Sequence, residues 1–121
     1  MGIGLNSTDN TEQAVTIACI QFEPTIGQTD SNLERMVALT HEAHAQGALV
    51  VVLPELSDSG YVFKTSEEVD RCAGAIPDGV AARRLIALAQ ELGIYIVSGL
   101  AERDGDVFYN SAVFCGPQGY I

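Results

Sequence analysis

The alternation of apolar and polar stretches sets out the elements before any chemistry is considered. Val15 to Phe22 is rich in β-branched and small residues and reads as a strand, which Pro24 and Gly27 then break. Asp30 or Ser31 is placed to cap a helix running to about Gln46. Leu33, Met36, Val37 and Thr40 share one face of it, and Gly47 supplies its stop. The next six residues, Ala48 to Leu53, are apolar without alternation. A strand of that kind is expected to be buried on both faces, inside a sheet flanked by helices.

A polar, turn-like segment follows from Glu55 to Gly60, and a short helix is expected around Ser66 to Cys72. Pro77, Asp78 and Gly79 form a turn. A further helix is expected from about Val80 to Leu92, with Leu85, Ile86, Leu88, Ala89 and Leu92 inward and Gly93 as its stop. Ile94 to Leu100 is an apolar strand, Asp104-Gly105 a hairpin signal, and Phe108 to Cys115 the returning strand. Gly116-Pro117-Gln118-Gly119 begins the next turn.

Strands separated by helices pair in parallel through right-handed crossovers, and the hairpin makes the sheet mixed. The fold class is therefore α/β. A sheet stopping at Ile121 would keep an open edge. The expectation is that residues 14–121 are the N-terminal part of a longer domain, incomplete at Ile121, and that residues 1–13 are a disordered leader.

Composition adds exclusions. Of the 121 residues, 47% are hydrophobic and 18% charged, which is globular rather than disordered. The net charge of -10 repels phosphate backbones, so no nucleic-acid partner is expected. No apolar run is long enough for a membrane span, and Met1 to Gln13 lacks the pattern of a secretory signal. Cys19, Cys72 and Cys115 have no metal-ligand spacing and form no even framework, so reduced thiols in a cytoplasmic protein are expected.

The chemistry concentrates in Leu53-Pro54-Glu55-Leu56-Ser57-Asp58-Ser59-Gly60-Tyr61. Ligands of open α/β sheets bind beyond the carboxyl ends of the strands, where Glu55 falls. Pro54 cannot continue the sheet ladder. A carboxylate at such a rim is partly desolvated, which makes it a better base. The plain reading of Glu55, a solvated loop residue, stands beside that one on position alone.

Gln21-Phe22-Glu23-Pro24, Gly27, Asn32-Leu33, Gly47-Ala48 and Leu53-Pro54-Glu55 through Gly60-Tyr61 together resemble the opening of the nitrilase superfamily of carbon–nitrogen hydrolases. Gly99-Leu100-Ala101-Glu102-Arg103, Tyr109-Asn110-Ser111-Ala112 and Gly116-Pro117-Gln118-Gly119 continue the resemblance, which covers essentially all of Val15 to Ile121. It implies that the mixed sheet and its helices are the first half of an α-β-β-α four-layer sandwich. It also implies a Glu–Lys–Cys triad: the thiolate attacks a nitrile or amide carbon, Glu takes the thiol proton and later activates water, and Lys offsets the developing negative charge. Only the Glu carries over, onto Glu55. The family's Lys and Cys motifs would fall after Ile121.

By the same resemblance the substrate is a small-molecule amide, nitrile or carbamoyl compound, with amide mildly preferred. No metal or organic cofactor is implied, and self-association into a homo-oligomer is. Tyr61 matches a Tyr near the family's pocket that can bind substrate and orient the Glu; the other reading packs it under the loop. Tyr109 and Asn110 match a pair read as architectural, Asn110 holding the loop through backbone hydrogen bonds.

Other residues are declined as catalytic. Lys64 lies outside the family's Lys motif and reads as a surface charge. Cys19 and Cys115 read as small core residues and Cys72 as semi-exposed, none in the electropositive setting a reactive thiol needs. His41 and His44 stand three apart on the first helix, but no partnering cluster makes them ligands, and an exposed face is expected. The alternative to the enzyme is a catalytically inactive truncated chain that serves as a binding or assembly unit.

Overall fold

The computed structural model describes residues 13–121, so the expected leader, Gln13 apart, lies outside the described residues. The elements run β1 (Ile17–Cys19), α1 (Thr29–Ala45), β2 (Val50–Val52), α2 (Ser66–Cys72), α3 (Val80–Leu92), β3 (Tyr95–Asp104), β4 (Val107–Gly116) and β5 (Gly119–Tyr120). Among the described residues the strands form one five-stranded sheet in the order β1-β2-β3-β4-β5. β1, β2 and β3 pair in parallel, while β4 and β5 are antiparallel to their neighbours. This is the expected mixed α/β sheet, its parallel part joined through helices.

Helix α1 begins one residue before the expected caps, with Gln28 at the N-cap and no side-chain cap bond. The cause lies at Asn32. Its Oδ1 accepts from the Thr25 amide at 2.8 Å and its Nδ2 donates to the Thr25 carbonyl at 2.8 Å, which fixes the entry into the helix from within. Helix α2 starts where Thr65 Oγ1 accepts from the Glu68 amide. Helix α3 ends at Gly93, whose φ of 66° is the left-handed conformation expected of a C-terminal stop. The β3–β4 hairpin turns through Gly105 and Asp106, one residue on from the dipeptide that signalled it, with Gly105 at φ 60°.

The core lies between the sheet and one layer of helices. Leu33 and Met36 of α1 and Leu85, Leu88 and Ala89 of α3 pack with Val51, Ile96, Leu100, Val113 and Cys115. The expectation that the second strand is buried on both faces is not met. Val51 is fully buried, but Val50 and Val52 on the opposite face are only half-buried, as is Val97 of β3. Tyr95 and Phe114, tilted against each other at 6.0 Å, are exposed on that face with Ile17. Cys19 belongs to the same side and is exposed rather than in the core, because only alternate residues of a strand reach the helix side. Cys72 is buried rather than semi-exposed, and Cys115 is buried as expected.

Leu85→Ala removes a fully buried side chain from this layer. A loss of about 3 kcal/mol is expected, read as a lower denaturation midpoint at unchanged slope.

Candidate active site

β2 stops at Val52, but its neighbour β3 runs on to Asp104. Beyond Val52, the backbone groups on that edge of β3 have no strand to pair with. The chain after β2 satisfies them in turn. Leu53 N donates to Val97 O at 2.8 Å, Gly99 N to Pro54 O at 3.1 Å, and Ser57 N to Gly99 O at 3.1 Å. Ala101 N then donates to the Asp58 side chain, Oδ1, at 3.2 Å. Gly74 takes the last places: its amide donates to Ala101 O and its carbonyl accepts from Arg103 N.

Glu55 rides on this irregular continuation. Its backbone crosses Gly99 so closely that a Cβ there would stand 2.5 Å from Glu55 Cα and 2.8 Å from Leu56 N. Leu56, immediately after it, holds φ at 44°, a left-handed conformation that costs a non-glycine residue about 1 kcal/mol or more and persists only where its surroundings enforce it. The carboxylate lies on the face away from the helices, where Asn110 Nδ2 of β4 donates to Glu55 Oε1. Asn110 stands cross-strand from Ala101, so the strand pair that anchors the loop also presents the partner of its carboxylate. Asn110 thus acts through its side chain on the carboxylate, not through the loop backbone as expected. Glu55 is exposed, so the partial desolvation expected at the rim is absent from these residues.

The rest of the loop is the reverse of a solvated turn. Ser57, Asp58 and Ser59 are at most 1% exposed. The Ser57 and Ser98 hydroxyls share a hydrogen bond of 2.8 Å, and Asn32 Nδ2 donates to the Asp58 carbonyl at 3.0 Å. Gly27 N reaches Ser59 O at 3.1 Å. Burial raises the Asp58 carboxyl from its ordinary value to about 6, against the opposing pull of the Ala101 amide. The sequence motifs contain both Asp58 and Asn32 but assign neither a role. The available signal was Asn32 itself, a polar residue within the inward stripe of α1.

The remaining candidates are more dispersed. Tyr61 follows Gly60, which has φ 83°, and stands 52% exposed beside the loop rather than packed under it. Among the described residues it makes no hydrogen bond to Glu55. Lys64 and His41 are exposed as expected, whereas His44 is half-buried with its Nδ1 unpartnered. Cys115 is enclosed near Ile96 O, and burial pushes its thiol up to about 11, the wrong direction for a nucleophile. No group of three or more His, Cys, Asp or Glu among the described residues is placed to hold a metal. No helix among them is long and apolar enough to cross a membrane.

Residues 16–121 match the family described as carbon-nitrogen hydrolase. The chain belongs to that family. This carbon-nitrogen hydrolase chain is 50% identical over 107 residues to a nitrilase of Pyrococcus abyssi, covering 88% of this chain and 41% of that protein. It is 42% identical over 91 residues to the omega-amidase NIT2 of Danio rerio, covering 74% and 31%. A solved N-terminal amidase superposes with a TM-score of 0.75 at 23% identity, over 87% of this chain and 26% of that one, which is a likeness of fold. The chain therefore spans about two fifths of the Pyrococcus protein and less of the others.

Two outcomes follow from the geometry. Gly99→Ala forces Glu55 off β3. A destabilisation of about 2 kcal/mol is expected, together with a displaced Asn110 side-chain amide resonance in nitrogen-edited NMR spectra. Asp58 ionises only at about 6 in the folded state against 3.8 unfolded. Its contribution to stability is thus complete below pH 3.8 and lost as pH rises through 6, about 3 kcal/mol in all. Melting curves from pH 4 to 7 should show the wild type losing stability relative to Asp58→Asn across that window.

Proposed function

We propose that Glu55 is the general base of a hydrolase acting on non-peptide C–N bonds, amide or nitrile, through a Glu–Lys–Cys triad of which this chain supplies the Glu. The observation that carries the reading is the seat of Glu55. A carboxylate stands past the carboxyl end of a parallel strand, its backbone locked over Gly99 and one oxygen held by Asn110. With one oxygen engaged, the other is free to take the proton of an attacking thiol, pass it to the substrate nitrogen, and then take a proton of the water that attacks the acyl or thioimidate carbon. A base fixed in this way loses little entropy on reaching the reactive geometry.

Tyr61, exposed next to the loop, is proposed to line the substrate side and help orient the base. Kinship with proteins called nitrilase and omega-amidase supports a small-molecule amide or nitrile as substrate. The 50% identity to the Pyrococcus nitrilase makes nitriles the first substrates to try and amides the second. Cytoplasmic location and self-association belong to the same proposal. Residues 1–121 alone supply a base without a nucleophile in the family's position, so no turnover of amides or nitriles is expected from them.

A chimera tests the assignment: the matched 107 residues of this chain replace their counterpart in the Pyrococcus abyssi nitrilase. Ammonia release from a panel of nitriles and amides is expected from the chimera. Glu55→Gln in it should slow acylation by about a hundredfold or more with the fold retained, the size of a lost general base. Acylation at the unsubstituted rate would remove Glu55 from the mechanism.

A further inference from the structure

We infer that Asp58 is a positioning residue for Glu55: its buried carboxylate stands in for the missing carbonyl of β2 at the Ala101 amide and so holds the Glu55 loop against β3. The inference rests on the reading of Glu55 as the base and adds a residue three positions away that has no part in proton transfer. Four observations meet at Asp58. The side chain is 1% exposed in a loop whose sequence would suit solvent. Oδ1 takes the Ala101 amide at 3.2 Å, which continues the series of Pro54 O and Ser57 N along the same edge of β3. The Asp58 carbonyl receives Asn32 Nδ2 from α1, so the residue is fastened to helix and sheet together. Ala101 is the cross-strand partner of Asn110, which holds the Glu55 carboxylate.

The reason a side chain does this work is geometric. Leu56 turns the chain through a left-handed conformation, and the Leu56 carbonyl is already taken by the Ser59 and Gly60 amides. No backbone carbonyl of the loop reaches Ala101 N. An amide orphaned there would be buried without a partner, and the loop would gain by lifting to let water in. Glu55 would then leave Asn110. The Asp58 carboxylate closes the gap, although its burial raises its affinity for a proton.

The test uses the 121-residue chain in solution and needs no turnover. In the wild type, the Asn110 side-chain amide resonances should follow the titration of the Glu55 carboxyl carbon. Asp58→Ala should abolish that coupling and speed hydrogen exchange of the Ala101 amide about tenfold, the effect of losing one buried hydrogen bond. Asp58→Asn, which keeps an acceptor oxygen, should restore both. Coupling that survives in folded Asp58→Ala overturns the inference. If that variant does not fold, Asp58→Asn decides: coupling lost in a folded Asn variant overturns it, and coupling kept with Ala101 still protected sustains it. These resonances report geometry, whereas ammonia release by the chimera reports the role of Glu55, so either reading can fail without the other.

Discussion

A parallel strand that outruns its neighbour has to find partners for its backbone, and that requirement shapes the region around Glu55. β3 continues past the end of β2, and every amide and carbonyl it exposes there must be paired or pay the cost of desolvation. The loop that leaves β2 is bent to the task. Its carbonyl at Pro54, its amide at Ser57 and its side chain at Asp58 fall in the order the β3 edge dictates. The position of Glu55 follows from this pairing, because the residues on both sides of it are tied to β3. At Gly99 the two backbones approach so closely that a side chain would not fit between them.

The fastening also explains why small polar residues are buried here. A hydroxyl or carboxylate can meet a backbone group at the end of a short side chain, where a larger apolar one would hold the loop off the strand. Ser57 and Ser98 satisfy each other, and Asn32 spends its amide on Thr25 and Asp58. Such fully paired networks specify one loop conformation more sharply than apolar packing does. The surface ion pair between Arg103 and Asp70 at 2.8 Å is of lesser weight, since both groups are well exposed and screened by water.

Much of the architecture was legible in the sequence because period and punctuation agreed. Leu33, Met36 and Thr40 announced the inner face of α1, and Gly93 its counterpart's end in α3. Ala48 to Leu53 followed by Pro54 was enough to put Glu55 at a strand end. What stayed hidden depended on relations between distant segments. Ser-Asp-Ser-Gly has the composition of a solvated turn, and nothing local reveals that β3 is seven residues longer than β2, ten against three. The partnership of Asn110 with Glu55 spans 55 positions and arises from the hairpin register. Cys19 and the half-covered valines of β2 lie on the face that the helices leave open, and an apolar strand does not by itself say which of its faces a helix covers.

That uncovered side has a practical bearing. Ile17, Tyr95, Phe114 and Ile121 present greasy surface to water over a sheet that is otherwise well formed. Handled by itself, such a polypeptide would take up a hydrophobic dye while fully native, so dye fluorescence would be a misleading gauge of unfolding. Its behaviour at high concentration would be governed by stickiness between folded molecules, and the charge of -10 would be the main force keeping them apart.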